Sequence, residues 1–285
     1  MNDKDMTEKT LESYNDVFAD IVNVLLFDGK QVIHEDELED ETPRSIYKAD
    51  GELHEQERDV AKFWKNCGVR IALYGLENQT NIDVDIPFRV ISYDGAAYRA
   101  QLLDEKPERY PVVTLVLYFG EKRWNKPLSL LDRLSVPEEL KPYVNDYKIN
   151  LFEISYLTDE QLQKFSSDFR VVAEYFVQTR RDKDYHPSDI TLKHVHEVLQ
   201  MMAAVTQDHR FEDTMNEFNG REVPSKMSEY LDKIISIGEA RGMERGIECG
   251  IERGIAEERA RSEAAMAAKD REIAELKAQL EKLRA

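Results

Sequence analysis

Apolar and polar residues alternate along the first two thirds of the chain in patterns that predict both helices and strands. In residues 11–27 the apolar side chains recur every three to four positions, which is the spacing of an amphipathic helix. Apolar runs at 58–64 and 69–77, separated by a short turn, predict two adjoining strands. The intervening residues 30–57 are polar and acidic, and this composition predicts a loop with little regular structure.

Further helices and strands are predicted downstream. Helical spacing predicts a helix over 87–103, and a capping sequence predicts the start of another over 158–180. The β-branched run 111–120 is the strongest strand signal in the chain, and 148–154 predicts one more strand. Apolar spacing predicts a last helix in this region over 189–206. The order of elements predicts an α/β protein with a mixed central sheet flanked by helices.

The last part of the chain has a different pattern. We predict a domain over residues 1–180, a helical extension over 185–225 and a tail over 226–285. In the tail, glycine recurs at every fourth residue from 238 to 254, beside a column of apolar residues: Met243, Ile247, Ile251 and Ile255. The residues that follow keep the a/d spacing of about three coiled-coil heptads. These columns predict a homo-oligomer assembled through the C-terminal helices, and a solvated helix is the alternative.

Composition places the chain among soluble globular proteins. It has 285 residues, of which 41% are hydrophobic and 34% are charged. No apolar run approaches the roughly 18 residues that a membrane helix needs. The N-terminus has no signal-peptide pattern, and the two cysteines form no metal-binding spacing. These features predict a cytoplasmic protein without disulfides and without a membrane partner.

The net charge of −18 argues at first against a nucleic-acid partner, because binding to phosphate needs cations. The distribution of the charge weakens this objection. Residues 1–60 hold 18 acids and 6 bases, a net charge of −12, so the other residues carry only −6. A nearly neutral body can present a basic face to DNA, although the sequence shows no strong one.

Two acids stand at one end of the predicted strand pair. Asp59 lies at the start of the first strand and Glu77 at the end of the second, and in a hairpin these ends adjoin. Gln79 follows Glu77 by two residues, so the two side chains point to the same face. Two carboxylates with open coordination positions suit Mg²⁺, which prefers oxygen ligands and keeps several waters. Acids and amides also cap strand ends at protein surfaces, and the spacing is compatible with that structural role.

These residues are similar to a known nuclease motif. Asp59 followed by Glu77-x-Gln79 resembles the PD-(D/E)XK motif, with glutamine in the lysine position. The surrounding LENQTNIDVDIPFRVISYDGAAY resembles the Rpn family of recombination-promoting nucleases, the YhgA-like transposases. In that family a strand ending in E-x-Q-[ST] precedes a helix with proline, arginine and tyrosine, here Glu77, Gln79, Thr80, Pro87, Arg89 and Tyr93. Residues 111–130 and 17–33 also match segments of the family.

The resemblance implies a restriction-endonuclease-like core that hydrolyses DNA phosphodiesters with Mg²⁺, or with Mn²⁺ or Ca²⁺ in its place. Asp59 and Glu77 would carry the metal and act in catalysis. Gln79 would orient the attacking water or contact the scissile phosphate. An acid on the first helix completes many such sites, and the candidates here are Asp20 and, as the alternative, Asp16, one helical turn apart.

The glutamine in the lysine position leaves the motif without its usual cation. Glutamine cannot act as a cationic phosphate clamp or as a general base. Arg89 is the candidate to bind the substrate in its place, with a salt bridge on the helix surface as the structural alternative. The sequence therefore predicts a metal-dependent DNA endonuclease that promotes recombination. The alternative is an inactive nuclease fold that acts as an oligomeric interaction scaffold through its acidic loop and tail.

Overall fold

The computed structural model describes residues 11–41, 44–49, 52–57, 59–66, 69–104, 108–183, 185–206, 211 and 226–284. Cys67 and Gly68, which belong to the predicted turn between the two strands, lie outside this range. The chain divides into two compact units, the first ending at Leu231 and the second beginning at Asp232. Among the described helices, none is long and apolar enough to cross a membrane. Cys249 is exposed and has a free thiol.

The first unit contains a five-stranded mixed sheet in the order β1-β4-β5-β6-β7. The pairs β1–β4 and β4–β5 are antiparallel, and β5–β6 and β6–β7 are parallel. A separate antiparallel pair is formed by β2 and β3. The strands are β1 (Leu38–Asp40), β2 (Arg44–Ala49), β3 (Glu52–Glu57), β4 (Val60–Asn66), β5 (Val69–Gln79), β6 (Val112–Tyr118) and β7 (Asn150–Glu153). The mixed α/β class and the four strands expected at the positions of β4 to β7 are confirmed.

Seven α-helices lie in the described part of the chain, with three short 3₁₀ turns at Glu35–Glu37, Lys141–Tyr143 and Ile154–Tyr156. The helices are α1 (Asn15–Phe27), α2 (Ile86–Leu103), α3 (Leu130–Arg133), α4 (Asp159–Lys164), α5 (Phe169–Asp182), α6 (Val195–Thr206) and α7 (Met227–Arg284). The helices predicted over 11–27 and 87–103 are confirmed as α1 and α2.

Helices cover the sheet on both faces. On one face, Ile86 and Val90 of α2 pack with Val116 of β6 in a buried cluster. On the other face α1 lies over β4, where the Lys62 ammonium is 5.8 Å from the ring centre of Phe18. Burial from both sides explains why β6 is apolar apart from Thr114, since a strand without a solvent face needs no polar alternation.

The prediction of an unstructured loop over residues 30–57 is wrong, because β1, β2 and β3 lie there. The acids of β1 are accommodated at the edge of the sheet by bases of the neighbouring strand. Asp40 stands opposite Lys62 and pairs with it, and Glu39 pairs with Lys65. Two of the acids that suggested a loop are therefore balanced by charge pairs with the neighbouring strand.

The prediction of one helix over 158–180 is also wrong in one respect. The segment forms two helices, α4 and α5, which are separated at residues 165–168. The break is stabilised by the buried carboxylate of Asp20. Its oxygens accept hydrogen bonds from the backbone amides of Ser166 at 3.0 Å and Ser167 at 2.8 Å. These two amides would have bonded to helix carbonyls in one continuous helix.

The helix predicted to begin at residue 189 begins at Val195 instead. The backbone amides of Lys193 and His194 donate hydrogen bonds to Asp168, at 2.9 and 2.6 Å. Burial raises the pKa of Asp168 above its usual range, against these hydrogen bonds. The carboxylate of Asp168 thus binds the two backbone amides immediately before the start of α6.

Candidate functional site

The register of β4 and β5 brings Asp59 to the end of β5. Val60 stands opposite Leu76 in this antiparallel pair, so the residue before Val60 comes opposite Glu77. The Oδ2 atom of Asp59 accepts a hydrogen bond of 2.5 Å from the backbone amide of Asn78. The two acids that the sequence predicts to adjoin therefore lie on neighbouring backbones.

Glu77 and Gln79 point to the face of the sheet that α2 covers. The side-chain amide of Gln79 donates a hydrogen bond of 3.2 Å to Oε1 of Glu77. Only 1% of the Glu77 side chain is exposed. The glutamine in the lysine position is therefore in direct contact with the acid of the motif.

Arg89 provides a positive charge at the same carboxylate. It lies in the second turn of α2, and its Nη2 atom donates to Oε1 of Glu77 at 2.5 Å. Further hydrogen bonds join Nη2 to the hydroxyl of Tyr93 at 3.3 Å and Nη1 to Asp83 at 3.4 Å. Burial acts to lower the pKa of Arg89, but the charge of Glu77 and the interactions with Tyr93 and Asp83 together outweigh it, and the net result is a raised pKa. The guanidinium stays charged.

The pKa of Tyr93 is affected by both Glu77 and Asp59. Burial raises the pKa of its hydroxyl first, and the charges of Glu77 and Asp59 raise it further. The charge of Arg89 acts in the opposite direction. One phenol on α2 therefore lies within electrostatic reach of both carboxylates, which locates them in one polar neighbourhood.

An acid that sequence reasoning missed lies on the opposite face of the end of β5. Asn78 donates a hydrogen bond of 2.7 Å from its side-chain amide to Oε2 of Glu12, which is fully buried. Glu12 precedes α1 and is four residues before Asp16 and eight before Asp20. A search along that face of the predicted helix would have included it, since residues four apart share a face.

Asp20 and Asp16, the first-helix acids that the sequence favoured, have other partners. Besides the two backbone amides at the α4–α5 break, the hydroxyl of Ser166 donates to Asp20 at 2.9 Å. Asp16 accepts hydrogen bonds from the imidazole of His194 at 3.0 Å and the ammonium of Lys193 at 3.2 Å. Burial acts to raise the pKa of Asp16, but these hydrogen bonds lower it overall.

Both of these acids line a cavity of about 570 Å³, together with Lys193 and the two serines of the α4–α5 break. The hydrogen bonds given above join Asp20 to the α4–α5 break and Asp16 to Lys193 and His194. A metal-binding role for Asp20 stays a prediction.

The donor set at the end of β5 fits a hard divalent cation. Asp59, Glu77 and Gln79 offer carboxylate and amide oxygens, the ligands that Mg²⁺ prefers. Within the described ranges, no group of three acid, histidine or cysteine side chains is placed to hold an ion. Two carboxylates are enough for Mg²⁺, because it keeps several of its waters and takes further oxygens from phosphates. The contact with Arg89 indicates that Glu77 already accommodates a positive charge.

The fold and the site together define a class of protein: a mixed α/β domain with acids, an amide and an arginine gathered at the end of its central strand. The family model described as "Putative transposase, YhgA-like" matches residues 69–210, which include Glu77, Gln79 and Arg89 and begin after Asp59. The chain belongs to this family, and the resemblance seen in the sequence is confirmed. No curated protein and no solved structure matches the chain.

Proposed function

We propose that this protein is a metal-dependent DNA endonuclease that hydrolyses phosphodiester bonds at the end of β5 and promotes recombination. The observation that carries the proposal is the placement of Asp59 opposite Glu77, with Gln79 and Arg89 in contact with Glu77. The family description supports DNA as the substrate, since transposition requires strand cleavage. A restriction-endonuclease-like core is the fold this proposal expects.

Each of these four side chains would have its own role in the hydrolysis. Asp59 and Glu77 would hold Mg²⁺, which when bound lowers the pKa of water and stabilises charge on a phosphate. Gln79 would position the attacking water through its amide, because an amide can orient a water but cannot take its proton. Arg89 would donate hydrogen bonds to the scissile phosphate, since its planar fork matches phosphate oxygens.

The activity itself is tested by incubating the purified full chain with supercoiled plasmid in Mg²⁺, Mn²⁺ or Ca²⁺. We expect nicked and linear products with Mg²⁺ or Mn²⁺, and loss of these products when a chelator is added. If the folded protein gives no product above buffer with any of the three ions, the enzyme proposal is wrong. The alternative, a scaffold with an inactive nuclease fold, would then stand.

The tail helix supports assembly of the protein with a second copy of itself. The four apolar residues beside the glycine column are exposed, by between 52% and 70%: Met243, Ile247, Ile251 and Ile255. Apart from the neighbouring backbone of its own helix, a methyl group added at any of the glycines 242, 246, 250 or 254 would meet no atom of the described chain within 4 Å. An apolar column of this length on a charged helix is best explained by a covering partner.

The charged residues of this segment lie on the side of the helix away from the glycine and apolar columns. At 100° per residue, an arginine column (Arg245, Arg253) and a glutamate column (Glu244, Glu248, Glu252) are each about 150° from the midline between the glycines and the apolar residues. These charges therefore face solvent and do not fix the direction of the second copy.

We expect the full chain to sediment as a dimer and the Ile247→Lys/Ile251→Lys variant to sediment as a monomer. The control Ala260→Lys/Ala264→Lys adds the same charge to the same helix outside the apolar column and should remain dimeric.

The relative direction of the two helices is measured as the distance between spin labels attached at Ser262→Cys, with both native cysteines replaced by serine. A parallel pair gives a short distance between the labels, and an antiparallel pair centred on residue 249 gives about 40 Å. A monomeric native chain would contradict this assembly, and the distance between the labels decides the direction of the two helices.

A further inference from the structure

The ion pair between Glu77 and Arg89 joins a buried group to a half-exposed one. The Glu77 side chain is 1% exposed and that of Arg89 is 42% exposed. A buried carboxylate is costly without a nearby positive charge, and removal of one partner of such a pair is strongly destabilising. Arg89 therefore compensates the charge of Glu77 when no metal ion is bound.

The guanidinium has a second anion toward the surface. Its Nη1 atom lies 3.4 Å from Oδ2 of Asp83, whose side chain is 32% exposed. Arg89 thus lies between a buried acid and a solvated one. Its exposure also leaves room for the side chain to turn outward, toward solvent.

A metal ion and Arg89 would compete for Glu77. The proposed metal ligand is the same carboxylate that accepts the 2.5 Å hydrogen bond from Nη2 of Arg89. A guanidinium and a divalent ion beside one carboxylate repel each other, and the repulsion is stronger in a buried site than in water. Each cation therefore weakens the contact of the other with Glu77.

We infer that Arg89 occupies the cation position of Glu77 while no metal is bound, and turns to the phosphate of the substrate when a metal takes its place. The inference rests on the proposed function and adds a coupling between metal and substrate. Arg89 then has two opposite effects. It weakens metal binding by the free protein, and it aids cleavage once metal and DNA are both bound.

The test is a calorimetric titration of Mn²⁺ into the DNA-free full chain, compared with a titration of Arg89→Gln. We expect Arg89→Gln to bind Mn²⁺ at least about 5-fold more tightly, within the usual range of coupling between sites. At saturating Mn²⁺ the same variant should cleave plasmid at least about 10-fold more slowly, because its phosphate contact is lost. If Arg89 had a merely structural role, its replacement would not increase the affinity for Mn²⁺.

Three comparisons keep the result interpretable. Arg89→Lys keeps the charge and should bind Mn²⁺ nearly as weakly as the native chain. Arg133→Gln removes an exposed ion pair with Asp85, 2.7 Å between Nε and Oδ1, and should leave metal affinity unchanged. The melting temperature of Arg89→Gln should fall in a chelator and recover in Mn²⁺, which also reports whether this variant folds.

Equal or weaker Mn²⁺ affinity in Arg89→Gln would overturn the inference and leave the proposed metal site intact. Tight binding by Arg89→Lys as well would overturn it too, because competition by charge would not be the cause. If the native chain and Glu77→Gln bind Mn²⁺ equally, the proposed metal site is wrong, and the inference fails with it.

Discussion

The Glu77→Gln variant is expected to cleave DNA about 100-fold more slowly than the native protein, or to lose cleavage entirely. Glu77 is the buried acid of the site, and it contacts both Gln79 and Arg89. Glutamine preserves its size but removes the charge that would hold the metal and the guanidinium. Loss of one preorganised electrostatic group in an active site typically costs on the order of 10²–10³ in rate.

The rate should be measured as single-turnover plasmid cleavage at saturating Mg²⁺, after circular dichroism has shown that both proteins are folded. Asp83→Asn is the matched control, because it also removes a carboxylate that accepts a hydrogen bond from Arg89, but at a solvated position. We expect this control to retain most of the native rate. Native-like cleavage by Glu77→Gln would exclude the end of β5 as the catalytic centre.

The second large effect is on stability. The Asp20→Ala variant should lose about 2–4 kcal/mol of unfolding free energy, since three donors at the α4–α5 break lose a charged acceptor. They are the backbone amides of Ser166 and Ser167 and the hydroxyl of Ser166. Asp20 is 4% exposed, so water cannot fully replace the lost carboxylate. The variant would also leave a cavity beside α1.

Urea denaturation in the presence of a chelator measures this change without any contribution from bound metal. Asp36→Ala removes an exposed acid that lines the same cavity and should change the stability by less than about 0.5 kcal/mol. Cleavage by Asp20→Ala, assayed below its melting temperature, separates the two roles, because a near-native rate would leave Asp20 with the structural role alone. Native stability combined with lost cleavage would instead assign Asp20 to the metal site, as the sequence alone suggests.

Local sequence patterns were sufficient to predict the strands and the helix that carry the candidate site. The β4–β5 pair follows from apolar runs, and its register places Asp59 opposite Glu77. The helix that delivers Arg89 follows from apolar spacing with a proline in its first turn. Each of these signals lies within a few residues of the element that it predicts.

The elements that sequence reasoning missed depend on residues far apart in the chain. The α4–α5 break is stabilised by Asp20, which lies 146 positions before Ser166, and no local pattern contains that contact. The edge strand β1 depends on its pairing with bases of β4. Glu12 reaches Asn78 across 66 positions. Such tertiary contacts override local composition, and a single sequence does not reveal them.

The most direct measurement of the central claim is cleavage of supercoiled plasmid with Mg²⁺ by the native chain and by the Asp59→Ala/Glu77→Ala variant. The control Glu121→Ala/Asp132→Ala removes two exposed acids and therefore matches the change in net charge. We predict that the native chain and the control nick the plasmid, while the double variant gives no product above buffer. Equal cleavage by the native chain and the double variant would contradict the assignment of these two acids as the catalytic metal site.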